Sequence, residues 1–293
     1  MTDAPALLTI AHGTRDPRGA QEYDEVLALL RERHAGPVAG AWLEDFAQPD
    51  AATAAAALVA EGARRIVTVP FLNLGAGHAK TDVPEAITQV RAAHPDVAVA
   101  HARVLGLTPG LFALARQRVQ AVSPVPRRGE GRRGDEVLLL TAPGSSDPDA
   151  NGDLWKATRF LAEGTGHRWV DAAFAGVTWP TADVVLRRLA AAGAKRVVRF
   201  SWSLLAGLLE QRVAGWAAEV SADTGLEVVD AGRFGPDPAV ADAVMERYRE
   251  AVEGDVRMNC DLCAYRVPLP GLERRVAAPS GGGTGALVSP GRA

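Results

Sequence analysis

The stretch Arg65-Ile66-Val67-Thr68-Val69-Pro70-Phe71-Leu72-Asn73-Leu74-Gly75-Ala76-Gly77-His78-Ala79-Lys80-Thr81-Asp82 passes from an apolar, β-branched run into a glycine-containing loop that presents a histidine and a lysine. The run is of buried-strand type. Gly75 and Gly77 give the backbone room to turn sharply. Asp82 with Glu85 three residues later reads as a capping box for a helix starting near Val83, with Pro84 in its first turn. Strand, loop and helix in that order put His78 beyond the carboxyl end of a strand, where open α/β sheets bind their ligands. His12 stands in the same relation to an earlier apolar run, Ala6-Leu7-Leu8-Thr9-Ile10-Ala11.

Outward from that stretch the same alternation continues. Residues 20–33 place Tyr23, Val26, Leu27 and Leu30 on one helical face, and a strand from Val38 to Leu43 ends in Glu44-Asp45. An alanine-rich helix from Pro49 to Ala60 stops at Gly62. Beyond His78 a strand from Val97 to Leu105 and a helix from Leu111 to Val122 follow. Strands and helices alternating through short loops predict an α/β fold with a parallel sheet covered on both faces. The segment from Ser123 to Asp135 has no apolar face and carries two arginine pairs, so it reads as an exposed linker.

After the linker the pattern returns at an offset of 131 residues (Asp147 minus Asp16). Leu7-Leu8 recurs as Leu138-Leu139, Gly13 as Gly144, Asp16-Pro17 as Asp147-Pro148, Pro49 as Pro180 and Gly62-Ala63 as Gly193-Ala194. The offset later falls to 129, matching Gly106 to Gly235. The period is a whole domain long, so the chain is a tandem duplication and not a solenoid. The expected organisation is an N-terminal domain over 1–122, a linker over 123–135, a second domain over 136–254 and a CxxC-containing, largely disordered tail over 255–293, Gly/Ser/Pro-rich from Ala277 on.

The duplication acts as an internal control. Matched positions are mostly glycine, proline and apolar residues, which turns and cores require. The polar candidates are lost: His12 becomes Pro143, Arg15 becomes Ser146, Glu44 becomes Ala175, and His78 faces Leu208 or Leu209. The second half keeps the architecture and loses the chemistry, so function belongs to the first.

Bulk properties exclude several classes. The chain has 293 residues, 47% hydrophobic and 23% charged, with a net charge of −3. That balance offers no bulk attraction to nucleic acid or to an anionic membrane. No apolar run approaches the roughly 18 residues of a spanning helix, and the first residues lack a basic region followed by an apolar core. A reduced, cytoplasmic setting is expected.

Neutral imidazole is a common ligand for divalent transition metals and accepts protons near neutral pH. If the strands before them are neighbours, His12 and His78 share one rim. Glu44 ends the second strand, where it serves either as a ligand or proton acceptor or as a solvated acid. Arg15 and Lys80 flank the histidines and would pair with substrate carboxylates, or else serve solubility. Asp16 persists as Asp147, which points to a turn or cap. The only cysteines, Cys260 and Cys263, form one CxxC pair, half of what a four-ligand zinc or iron–sulfur site needs. Its own spacing leaves metal and redox roles open.

Ala11-His12-Gly13-Thr14-Arg15-Asp16-Pro17, Ala41-Trp42-Leu43-Glu44 with Gln48-Pro49, and Val69-Pro70-Phe71-Leu72 leading to Gly77-His78-Ala79-Lys80-Thr81-Asp82 resemble the sirohydrochlorin chelatases, the class II tetrapyrrole chelatases of siroheme and cobalamin synthesis. The resemblance covers about residues 6 to 266. It implies two chelatase-like α/β domains with a cleft between them, and insertion of Fe²⁺ or Co²⁺ into sirohydrochlorin. It implies metal binding and proton removal by His12 and His78, with Glu44 as the supporting acid and Arg15 and Lys80 facing the macrocycle's carboxylates. Gln48 stands where the family commonly has an acid. Met258-x-Cys260-x-x-Cys263 resembles a tail motif associated with a 4Fe–4S cluster, here shared between two chains as a hypothesis. The expected partner is the tetrapyrrole, and the expected state a monomer or homodimer. The alternative is a metal or tetrapyrrole carrier without catalysis.

Overall fold

The computed structural model describes residues 4–44, 47–125 and 134–254, together with Arg274. Asp45, Cys260 and Cys263 lie outside the described residues.

The first half runs β1 (Ala6–Ala11), α1 (Pro17–Arg33), β2 (Val38–Trp42), α2 (Ala51–Ala60), β3 (Arg65–Phe71), α3 (Gly77–Lys80), α4 (Asp82–Ala93), β4 (Ala98–His101) and α5 (Pro109–Val122). The second runs β5 (Glu136–Ala142), α6 (Pro148–Thr165), β6 (Trp169–Phe174), α7 (Ala182–Ala191), β7 (Arg196–Ser201), α8 (Leu208–Thr224), β8 (Glu227–Asp230) and α9 (Pro238–Glu253). Each half is a four-stranded parallel sheet, ordered β2-β1-β3-β4 and β6-β5-β7-β8. The duplication extends to backbone geometry. Gly62 and Gly193 follow α2 and α7 with φ of 95° and 96°, and Gly106 and Gly235 have 67° and 68°.

β1 is buried at all six positions because helices cover both faces of its sheet. Ala6, Leu8 and Ile10 pack on one face against Leu58 of α2 and Val83, Ile87 and Val90 of α4. Leu7 and Ala11 face the other way, into a core that runs on through Leu138, Trp202 and Phe234 of the second half. This shared core arises because the last helix of each half packs on the other. α9 lies against α1, β3 and β4, while α5 lies against α6 and β7. Tyr248 of α9 donates to the Pro5 carbonyl at 2.7 Å, and Arg103 after β4 pairs with Glu250 at 2.9 Å.

Two expectations shift. The strand expected from Val97 to Leu105 pairs with β3 only over Ala98–His101, after which the chain leaves the sheet edge towards α5. A separate one-turn helix, α3, stands between β3 and α4.

The strand order has one consequence for function. From β1 the chain steps to one side to form β2, then crosses back to form β3 on the other. The order reverses between β1 and β3, and the loops leaving their carboxyl ends diverge there, opening a crevice. Ala11 is paired with Phe71 across that junction, so the loops carrying His12 and His78 leave adjacent strands.

Candidate metal centre

His12 directly follows β1. The sheet pairing continues one step past it, with Leu43 N–H donating to the Ala11 carbonyl at 2.9 Å and Glu44 N–H to the His12 carbonyl at 3.1 Å. Those bonds bring Glu44 beside the imidazole, where its Oε1 is 3.7 Å from His12 Nε2. Gly13 makes the approach possible. It adopts φ of 120°, and a Cβ at this position would sit 2.7 Å from Glu44 Cβ, inside any tolerable contact. Gly75 and Gly77, after β3, are not among the described glycines with positive φ.

His78 comes from α3 and meets His12 edge to face, with ring centroids 4.3 Å apart and planes at 83°. The ligand atoms of His12, Glu44 and His78 all lie within 4.8 Å of one another. Donors around a first-row divalent ion with bonds of about 2.1 Å stand roughly 3–4 Å apart, so small side-chain movements complete the grip. Two imidazoles and one carboxylate suit borderline ions such as Fe²⁺ and Co²⁺. The side chains are 47%, 41% and 34% exposed for His12, His78 and Glu44. A rim this open gives access to both an ion and a large second reactant.

Packing around the ring, and then the neighbouring His78, lower the pKa of His12 below the ordinary imidazole value, with Glu44 opposing. Its neutral form, which carries the free lone pair, is thereby favoured.

The contact of Asp82 with His78 is one that sequence reasoning missed. Read as a helix cap, Asp82 is in fact the first residue of α4, and Thr81 occupies the cap position without a side-chain capping bond. The Asp82 carboxylate is engaged instead by His78, with Nδ1 2.5 Å from Oδ2, and by Thr81 Oγ1 at 2.9 Å from Oδ1. A carboxylate on Nδ1 favours the tautomer that leaves the Nε2 lone pair available to a metal ion. The available signal was the spacing of four residues between His78 and Asp82, which stacks side chains along a helical turn.

Lys80 requires a correction. Its ammonium does not face the open rim, because it is held 2.8 Å from Asp147 Oδ2 and 2.9 Å from Asp149 Oδ2 in the second half. Burial alone would lower its pKa, but the two carboxylates outweigh that and raise it. Arg15 is exposed on the loop between His12 and α1. Asp16 caps α1 by accepting from Arg18 N–H, and Asp147 caps α6 by accepting from Asp149 N–H, the role expected of this pair. The second half carries Pro143, Ala175 and Leu209 at the positions 131 residues on (Asp147 minus Asp16), and Val177, Trp179 and Leu208 are exposed there. The metal-type group at His12, Glu44 and His78 has no counterpart among its described residues.

Fold and site together define a class: a duplicated, parallel α/β protein with an open His–Glu–His cluster, of a kind that could hold a metal ion, at the switch point of its first sheet. The family model described as CbiX matches residues 6–122 and 137–251. This chain belongs to the CbiX family. It is 32% identical over 263 residues to a sirohydrochlorin cobaltochelatase of Priestia megaterium, covering 89% of this chain and 85% of the relative. It is 25% identical over 218 residues to a sirohydrochlorin ferrochelatase of the same organism, covering 74% and 80%. Among solved structures it resembles SirB from Bacillus subtilis with Fe³⁺, with a TM-score of 0.74, 25% identity, and 87% of this chain and 100% of that chain covered.

Proposed function

We propose that this protein is a sirohydrochlorin chelatase, a lyase that inserts Co²⁺ or Fe²⁺ into the tetrapyrrole. The observation that carries the reading is the cluster of His12, Glu44 and His78 at the switch point between β1 and β3. The matched relatives support the substrate.

The chemistry asks for two things. Two ring N–H bonds break and the ion becomes bound to the four ring nitrogens, so two protons must leave as the ion enters. His78, oriented through Nδ1 by Asp82, and His12 hold the ion through neutral imidazole nitrogens. Glu44, 3.7 Å from His12, neutralises charge beside the ion and accepts a proton, as does His12 when the ion moves off it. Solvent exposure of the rim allows those protons to leave. Arg15 is the first-half cation proposed to meet the macrocycle's carboxylates, bidentately where geometry permits.

The test is anaerobic metallation of sirohydrochlorin followed by absorbance. The protein should accelerate insertion over the spontaneous reaction, and His12→Ala or His78→Ala should remove the acceleration. Stoichiometric binding without any rate gain would make it a carrier instead. Among the described residues no helix is long and apolar enough to cross a membrane, and a cytoplasmic setting is part of the proposal. So is a 4Fe–4S cluster shared by the Cys260 and Cys263 thiols of two chains. The visible spectrum and mass of anaerobically purified protein test that cluster, and a colourless monomer would remove it.

A further inference from the structure

Equivalent elements of the two halves pack reciprocally, α9 on α1 and β3 and α5 on α6 and β7, as they would about a two-fold axis, so the contacts of equivalent residues on its two sides can be compared. Asp16 and Asp147 are equivalent, as are Arg18 and Asp149, and Lys80 and Gln211, all at the offset of 131 residues (Asp147 minus Asp16). On one side Gln211 Nε2 donates across the interface to Asp16 Oδ2 at 2.8 Å, while Asp16's counter-ion is its own neighbour Arg18, also at 2.8 Å. On the other side the equivalent of Arg18 is an acid. Asp147 and Asp149 lie together, and their common counter-ion is Lys80, reaching over from the first half. The Lys80, Asp147 and Asp149 side chains are 7%, 0% and 14% exposed.

One interface contact is thus a hydrogen bond from a neutral amide to a carboxylate whose ion pair is local. Its mirror image is a buried ionic clasp that holds only if the halves are docked. The clasp falls on the loop that carries His78. Lys80 ends the same single helical turn, α3, and that turn has no side-chain cap of its own. The same loop is tied a second time where Asn73 Nδ2 donates to the Trp202 carbonyl at 3.0 Å. A four-residue helix does not hold a fixed orientation by its own hydrogen bonds, so the direction of His78 is set by what grips its ends. Asn73 ties the chain before the turn and Lys80 ties its last residue, while Asp82 holds the His78 ring itself.

We propose that Lys80 is a positioning residue, through which Asp147 and Asp149 of the second half hold His78 in register with His12 and Glu44. The half without metal ligands is, in this reading, the frame for the half that has them. The inference rests on His78 being a metal ligand, as the chelatase reading requires.

The test copies the other side of the axis onto this one. Lys80→Gln should weaken Co²⁺ binding about tenfold, the scale seen when an outer partner of a ligand is lost. It should lower kcat similarly and leave KM for sirohydrochlorin unchanged. The double variant Lys80→Gln with Asp149→Arg recreates the Gln211–Asp16–Arg18 arrangement and should recover most of both losses. Co²⁺ titration by calorimetry and the kcat and KM split read the outcome. If Lys80→Gln does not fold, Asp149→Asn, which keeps the Asp147 bond, should show a smaller loss of the same kind in both readouts. A rise in KM alone, or Co²⁺ affinity within twofold of the parent, overturns the proposal. Failure of the chelatase reading would look different, as an absence of rate gain in the parent protein.

Discussion

Replacing Asp82 by alanine removes the 2.5 Å approach of its Oδ2 to His78 Nδ1 together with the hydrogen bond its Oδ1 accepts from Thr81 Oγ1 at 2.9 Å. Without the carboxylate, His78 loses both its preferred tautomer and its rotational restraint, and its metal-facing nitrogen becomes a minor population. Outer partners of this kind are worth about 10- to 100-fold in metal affinity, or about 1.4–2.7 kcal/mol. The His78 and Asp82 side chains are 41% and 26% exposed, so water replaces part of the lost bond. The expectation is therefore the lower end, about tenfold weaker Co²⁺ binding, with kcat falling in parallel. Asp82→Asn should fall between, since its amide oxygen can still accept from Nδ1–H but carries no charge. Calorimetric titration with Co²⁺ measures the affinity. Nitrogen-15 spectra of the histidine rings report the tautomer directly, and Tm separates a loss of helix stability from a loss of orientation. If Asp82→Ala binds Co²⁺ as tightly as the parent and the His78 tautomer does not change, the orienting role assigned to Asp82 is wrong.

Two further outcomes are expected. Gly13→Ala should cost about 1–2 kcal/mol through its left-handed backbone alone. Because its Cβ would fall 2.7 Å from Glu44 Cβ, it should also displace Glu44 and weaken Co²⁺ binding; an unchanged affinity would separate Glu44 from the ion. His101 has its pKa lowered to about 4 by burial and then by Arg91. The unfolded chain therefore binds the extra proton first as pH falls. The stability that neutral His101 contributes is complete above about pH 6.5 and is lost as pH falls towards 4. Urea unfolding across that range should show the decline, and His101→Gln should flatten it.

Much of this was legible in the chain itself. Alternating apolar runs and turn residues specify strands and helices locally, because burial on both faces demands continuous apolar strands. The 131-residue offset between equivalent residues exposed the duplication and, with it, the loss of His12, Glu44 and His78 chemistry in the second half. Those three residues could be named from strand ends alone. Their convergence could not, because it depends on β1 lying between β2 and β3, and sheet order is settled by long-range packing. The capping reading of Asp82 failed for a related reason. A local rule gave it a backbone partner, whereas a nearby imidazole provided a better one once α3 had formed. Lys80 marks the boundary most clearly. Its charge and neighbourhood in the chain pointed to a substrate carboxylate, yet its partners, Asp147 and Asp149, are 67 and 69 residues away. Only docking the two halves brings a buried ammonium and two carboxylates together, since a charge taken out of water needs a partner at hand.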